Sequence, residues 1–472
     1  MQNRKDLLQA HRLMTQRASL ALLQGEPDPP DRPLRRLNVG VFSSILVAAL
    51  VAAACGIWGL LDPGNAQGLK TAGTLIVDSQ TGTSYIWCQG GKKLCPVVNY
   101  ASARLALNTT TPNQRTVSQA SLASYPRGPL IGIPGLPQPL PDSSMLVGAP
   151  WSVCVQSVAS AATLQEHTVT TLVGGRGVGG RIVPGSSALL VQASGSDWLI
   201  WDGQRLLIPT GTQRYILTAL DTRQQPEAMP PAWLNAFPQG QNFAPPRIHD
   251  FGDPVSGPQG GTAKVGQVFV TNAVAGSGQQ FFVLLGDGKL APVTQTQAAL
   301  LDDAPGQVSQ VTINPSTAAS DSAPGGVPAG ALPKSMPHVI GYAATTPLCV
   351  VYTSSAAAAP GGPQVTVGGT VPTATMATNG SGGVSQVALP PGTAALVGVV
   401  AGTQSGPAQS PAVSSYFLLT GGLRYGLASP TVASLLGYNA SSQRTLLPAG
   451  VADLIPQGPA FDPSRAQQQV AG

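Results

Sequence analysis

Charge is scarce in this chain. Asp, Glu, Lys and Arg make up 10% of its 472 residues, against about 25% in an average globular chain. The formal net charge of +5 is small for this length and gives no reason to expect a nucleic-acid partner. Histidine occurs four times, at His11, His167, His249 and His338. These are scattered, without the Cys or carboxylate spacing that a metal site needs. The sequence has no G-x-S-x-G elbow, and no G-x-x-x-x-G-K-[ST] loop to cradle phosphates. No catalytic residue, cofactor or metal is therefore expected. Gly (56) and Pro (44) are plentiful, but apolar residues reach 43% and recur in short strand-like runs, so the chain does not read as disordered.

One long uncharged run is present. Leu37 to Leu61, 25 residues between Arg36 and Asp62, has no charged side chain, and a spanning helix needs about 20. Arg4, Lys5, Arg12, Arg17, Arg32, Arg35 and Arg36 precede it, whereas the thirty residues after it carry only Lys70. This asymmetry places the N-terminus in the cytoplasm. The run is too long, and starts too late, for the core of a signal peptide. "AAAC" ending at Cys55 is a poor lipoprotein box with apolar residues continuing past it, so an uncleaved single-pass helix is expected, with about 410 residues outside. Before it, residues 4–23 have the apolar spacing of a helix that fits a membrane surface, a partner or simple solvation equally. "GEPDPPDRP" breaks that helix.

Four segments align without a gap: "YIWCQGGKKLCP" from Tyr85, "WLIWDGQRLLIP" from Trp198, "FFVLLGDGKLAP" from Phe281 and "YFLLTGGLRYGL" from Tyr416. Each opens on an aromatic and has glycine five residues on, at Gly90, Gly203, Gly286 and Gly421. A base follows each turn: Lys92 and Lys93, Arg205, Lys289 and Arg424. Two apolar runs joined by residues that tolerate positive φ predict a hairpin. A strand-like run precedes each copy and a helical run follows, as in "SPTVASLL", where Ser429 is placed as N-cap and Pro430 at the first helical position. The unit reads β-β-β-α, and the solvated bases in "GGKKL" and "GDGKL" carry no phosphate site.

The copies pair into halves, residues 72–245 and 266–463, and a duplicated chain is expected to fold with pseudo-two-fold symmetry. About 22 extra residues in the second half are assigned to "GPQVTVGGTVPTATMATNGSGG" after Cys349. The expected organisation is a cytoplasmic helix and linker (1–36), a transmembrane helix (37–61) and repeat unit 1 (72–125). The first stretch of a central domain (126–175) and repeat unit 2 with a Pro-rich tail (176–245) follow. Repeat unit 3 (262–310), the second stretch of the central domain with the insertion (311–383), repeat unit 4 (384–440) and a Pro-rich C-terminal tail (441–472) complete it. His249, Asp250 and Asp253 form the most polar local cluster, read as a loop hydrogen-bond network between the halves.

Cys154 and Cys349 occupy equivalent places in the halves, so a bond across the pseudo-axis is expected. Cys88 and Cys95 flank a Gly-Gly turn, where a dithiol, half a zinc site or a disulfide are all conceivable. Outside the cytoplasm disulfides persist, and the columns occupied by Cys88 (Trp201, Leu284, Leu419) and Cys95 (Ile208, Ala291, Gly426) are largely apolar. A local disulfide is the expectation.

"GTLIVDSQTGTSYIWCQGGKKLCPVVNYASARLAL", "RGPLIGIPGLPQPLP", "PWSVCV" and "PLCVVY" together resemble the EccB membrane component of the actinobacterial type VII (ESX) secretion system, over most of the chain. The resemblance implies a bitopic inner-membrane subunit whose large α+β, β-rich periplasmic domain arranges four repeats around a central β domain. It also implies a Cys154–Cys349 disulfide, self-association through the periplasmic domain, and assembly with the EccC motor ATPase, EccD, EccE and the mycosin protease. The repeat fold is similar to a phage-lysin wall-binding subunit, which leaves a peptidoglycan anchor as one alternative. Some family members carry an ATPase label, which no motif here supports.

Overall fold

The structure is a computed structural model. It describes residues 4–25, 33–61, 68–88, 90–159, 165–258, 260–272, 278–323, 325–328, 330–354, 362–373, 375–376, 383–400 and 412–470. Two compact units emerge: residues 1–71 with 76–82 and 114–126, and the remainder. The first unit contains α1 (Arg4–Gln24) and α2 (Pro33–Leu61). Within α2, Leu37–Gly59 is long and apolar enough to cross a membrane, and none of it is buried in the protein.

Along the chain, β1 (Thr74–Asp78), β2 (Ser84–Cys88), β3 (Lys93–Pro96), α3 (Tyr100–Leu107), β4 (Asn113–Val117) and α4 (Gln119–Leu122) come first. Next are β5 (Trp151–Ala159), β6 (Glu166–Gly174) and β7 (Arg181–Ile182). A second set follows: β8 (Ser187–Ala193), β9 (Ser196–Trp201), β10 (Gln204–Ile208), α5 (Gln213–Ala219), β11 (Glu227–Ala228) and α6 (Pro231–Asn235). A small hairpin, β12 (Pro254–Ser256) and β13 (Thr262–Lys264), precedes β14 (Val268–Thr271), β15 (Gln280–Leu284) and β16 (Leu290–Val293). Then come α7 (Gln295–Asp302), β17 (Val311–Ile313), α8 (Pro315–Ser320) and β18 (His338–Val339). After β19 (Leu348–Tyr352), β20 (Gln364–Val367), β21 (Thr375–Met376) and β22 (Gln386–Ala388) comes β23 (Ala395–Val400). The fourth set is completed by β24 (Val413–Thr420), β25 (Leu423–Leu427), α9 (Pro430–Leu435), β26 (Thr445–Pro448) and α10 (Ala449–Ala452), and α11 (Pro463–Ala466) ends the chain's helices.

Four sheets share one strand order: β3-β2-β1-β4, β10-β9-β8-β11, β16-β15-β14-β17 and β25-β24-β23-β26. Each set is therefore β-β-β-α-β-α, one strand and one short helix longer than the β-β-β-α unit read from the sequence. The fourth strand is parallel to the first in the last three sheets. At two to five residues these strands are too short, and β4 too polar, for a period-2 signal. β17 and α8 lie beyond 310, and β26 and α10 beyond 440.

Caps mark the starts of several helices, and of these the sequence indicates Ser429 with Pro430. Asn99 accepts from Ser102 N at the start of α3, and Thr294 with Gln297 closes a capping box on α7. Ser429 is the N-cap of α9 and Pro430 its first residue.

A seven-stranded sheet, β21-β22-β6-β5-β19-β20-β7, joins the two halves. Its middle pair is antiparallel with Cys154 opposite Cys349, Val153 opposite Val350 and Trp151 opposite Tyr352. β6 pairs with β5 on one side and β20 with β19 on the other. The strands beyond these differ on the two sides: β22 runs parallel to β6, whereas β7 runs antiparallel to β20. Strand pairing also relocates the extra length of the second half. Cys154 and Cys349 are 195 apart. Val191 and Val397, which hold the same register place in their sheets, differ by 206, and Ile200 and Leu419 by 219. The additional residues thus fall in two places, before β23 and between β23 and β24. The second lies mostly in residues 401–411, outside the described residues. Four residues near the start of the stretch assigned as an insertion, Gln364–Val367, form β20.

The linkers between units add strands to sheets. Val339 pairs with Ala188 at the start of β8, and Leu146 bridges Ala394 just before β23, also in parallel. The linker after the third sheet thus extends the second, and the linker after the first extends the fourth.

Candidate functional site

The largest core of the second unit lies on one face of the seven-stranded sheet. Trp151, Val153, Val350 and Tyr352 pack there with residues of the second sheet (Leu189, Val191, Ile200) and the fourth (Val397, Phe417). The sheet's other face carries Cys154, Cys349, Val173, Val178 and Ala388. Because side chains alternate across a strand, burial on both faces makes "LCVVY" continuously apolar and "WSVCV" apolar apart from the buried Ser152. Cys154 and Cys349 are disulfide-bonded and 1% and 0% exposed. Burial at this depth keeps reductants out and gives the bond a structural role.

Cys88 and Cys95 form the second disulfide, seven residues apart in the β2–β3 hairpin. Its surroundings correct the column alignment. In all four sets, a segment after the second helix makes a parallel bridge to the third strand: Leu94–Arg127, Arg205–Gln239, Leu290–Ser322 and Arg424–Gln457. These bridges place Cys95 with Leu206, Ala291 and Tyr425, all buried, in place of Ile208, Ala291 and Gly426. The next residue of each segment donates its N–H to the same strand: Gly128, Gly240, Ala323 and Gly458. A Cβ on Gly128 would lie 2.3 Å from Cys95 Sγ, on Gly240 2.5 Å from Leu206, and on Gly458 2.6 Å from the Tyr425 ring. Only opposite the small Ala291 does the position hold alanine. Size is traded across the contact. The expected "Pro-rich tails" with PQG at 238–240 and 456–458 are this closing segment.

The bases after the turns fall into two kinds. Lys92, Lys93 and Lys289 are exposed. Arg205 donates to Leu234 O (3.3 Å) and to Asn235 Oδ1 (2.5 Å) at the C-terminus of α6. Arg424 donates to Ala452 O (3.0 Å) and Asp453 Oδ1 (2.9 Å) at the C-terminus of α10. Each cation thus satisfies carbonyls left over at a helix end. Burial pulls the Arg205 guanidinium below its ordinary value.

Among the described residues, the tools of acid–base chemistry are not assembled. His249 Nδ1 lies 2.7 Å from Asp250 Oδ2, but the two side chains are 94% and 52% exposed. Asp253 N donates to Asp250 O within the same loop. Burial pushes the Tyr342 and Tyr438 hydroxyls up to about 12, far from a neutral-pH proton carrier. Among the described residues no cluster of three His, Cys, Asp or Glu could hold a metal. A cleft of about 270 Å³ between the β7–β8 turn and Pro363 has Asp202 as its one titratable lining residue.

The model of the type VII secretion system ESX-1 transport TM domain B matches residues 2–471. The chain belongs to the EccB family. The ESX-5 EccB5 of Mycobacterium tuberculosis, named an ATPase, is 28% identical over 98% of this chain and 92% of its own length. The ESX-3 EccB3 of Mycolicibacterium smegmatis, also named an ATPase, is 29% identical over 93% of this chain and 85% of its own. Among solved structures, a chain of an intact ESX-5 inner membrane complex aligns with a TM-score of 0.61 at 26% identity, covering 100% of this chain and 96% of that one. An EccB3 dimer from the ESX-3 core complex aligns with a TM-score of 0.63 at 26% identity, over 84% and 100%. EccB membership accounts for the one candidate span among the described residues and the large β-rich domain behind it.

Proposed function

We propose that this chain is a structural subunit of a type VII secretion core complex. The observation that carries this reading is the family match across residues 2–471, with a full-length fold likeness to a chain of the ESX-5 inner membrane complex. In this reading α2 spans the inner membrane with the N-terminus in the cytoplasm. The four sheets are repeats of one unit, related in pairs by the pseudo-two-fold axis beside Cys154–Cys349, and they form a periplasmic scaffold. That scaffold self-associates and meets EccC, EccD, EccE and the mycosin protease. The two disulfides hold it together in an oxidising compartment.

The test is extraction in mild detergent. The chain should migrate in a large complex, and its deletion should stop export of ESX substrates. A free monomer with export intact would refute the proposal. The relatives' ATPase names favour a second reading, in which the chain turns over ATP. A preparation free of the motor subunit should show no turnover if the scaffold reading holds. Retention of the outer domain on purified cell wall would add an anchoring role.

A further inference from the structure

Among the described residues, α1 is the one long helix outside the span, and it carries two opposed stripes. Leu7, Ala10, Met14, Ala18, Ala21 and Leu22 recur at the three-to-four-residue spacing of one helix face. Lys5, Gln9, Arg12, Gln16 and Ser19 recur at the same spacing two residues out of phase, close to the opposite side of the helix, where Leu20 and Leu23 of the last turn also fall. The apolar stripe is uncovered: Leu7 is 61% exposed, Met14 74% and Leu22 87%. Four bases, Arg4, Lys5, Arg12 and Arg17, face one acid, Asp6, in this helix.

We propose that α1 lies on the anionic phospholipid surface of the bilayer that its own chain crosses; this rests on reading α2 as the span. Two facts favour a lipid surface over another copy of the helix. Like charges on two α1 helices repel, whereas anionic headgroups attract each Lys and Arg near the surface. Ala10, Ala18 and Ala21 leave a helix pair little side-chain volume to interlock, while an interface only has to cover the stripe. The tether supplies the rest. Between the end of α1 at Gln24 and the start of α2 at Pro33 lie eight residues, which reach at most about 28 Å when fully extended. The helix is thereby held at high effective concentration beside the membrane.

The test uses the full chain in nanodiscs, with nitroxide labels on Met14→Cys or Arg12→Cys in a Cys55→Ser background. Both leaflets are accessible there, so the readout does not depend on orientation. With one-third phosphatidylglycerol, the Met14 label should be at least threefold more accessible to oxygen, relative to a nickel chelate, than the Arg12 label. In phosphatidylcholine alone, and in Arg4→Gln/Lys5→Gln/Arg12→Gln/Arg17→Gln carrying the Met14 label, that preference should shrink at least twofold. Equal accessibility at both sites in anionic discs would overturn the proposal. So would protection of Met14 that appears only when the remaining secretion subunits are added, which would make the partner a protein. Failure of the chain to enter discs would overturn the span itself, a result read separately from label depth.

Discussion

The second and fourth sheets share one large core, whereas the helices of the first and third sets join separate, smaller clusters. Leu189 and Val191 of the second sheet and Val397 and Phe417 of the fourth pack with Trp151 and Tyr352 of the seven-stranded sheet. By contrast, α3 contributes Ala101 and Leu105 to a cluster around Leu396, Leu418 and Val432. α7 contributes Leu300 to a cluster around Ile216 and Leu220, while the third sheet keeps its own small core of Phe269, Phe282 and Leu284. The same unit is thus a load-sharing element in one setting and an appended one in the other. What surrounds each copy decides how it is stabilised. The second and fourth copies hold their second helix with a half-buried arginine, and the first copy carries a disulfide in its hairpin.

The largest effect should come from the joint between the halves. Cys154→Ser/Cys349→Ser opens a closure of 195 residues and should cost about 5 kcal/mol on the chain-entropy account. A thermal melt of the full chain checks this, and a shift of a degree or two would mean that the sheet pairing alone unites the halves. Cys88→Ser/Cys95→Ser, seven residues apart, should cost about 2 kcal/mol. That loss should appear as faster hydrogen exchange confined to β2, β3 and the 127–131 segment.

Gly458→Ala drives a methyl into the Tyr425 ring and should cost about 1–3 kcal/mol. Ala323→Gly, at the matching place of the third sheet, should cost under about 1 kcal/mol. Equal melting shifts for these two variants would erase the proposed size exchange. The smallest contrast concerns the bases. Arg424→Ala strips carbonyls at the end of α10 of their cation and should cost about 1–2 kcal/mol. Lys289→Ala, exposed after the third turn, should stay within about 0.5 kcal/mol. Denaturant midpoints measured side by side would rank them.

Much of this was legible. A hairpin turn rich in glycine between two apolar runs needs no distant neighbour, so all four hairpins stand where the sequence puts them. Their register was less accessible. The ungapped alignment matches Gly203 to Gly421, whereas the structure aligns the turn Asp202–Gly203 with Gly421–Gly422, all four at positive φ. Turn length varies, with two residues between Trp201 and Gln204 but four between Cys88 and Lys93. A bulge between Val399 and Val400 adds a further shift. Fourth strands such as Glu227–Ala228 are too short to carry any pattern. Cys154 lies opposite Cys349 on two antiparallel strands, at the equivalent places that the sequence reading gives them in its two halves.

The sequence by itself determined the candidate span and the repeated hairpins, because each depends on neighbours within a few dozen residues. Twenty-five uncharged residues have few places to go except a bilayer, and Gly-rich turns close strands locally. Tertiary structure alone decided which base caps a helix, which glycine must stay small, and which sheet receives which linker. Arg424 finds Ala452, Gly458 meets Tyr425, and Leu146 lies beside Ala394. Those contacts join residues from 28 to 248 positions apart, and only a packed chain brings them within reach.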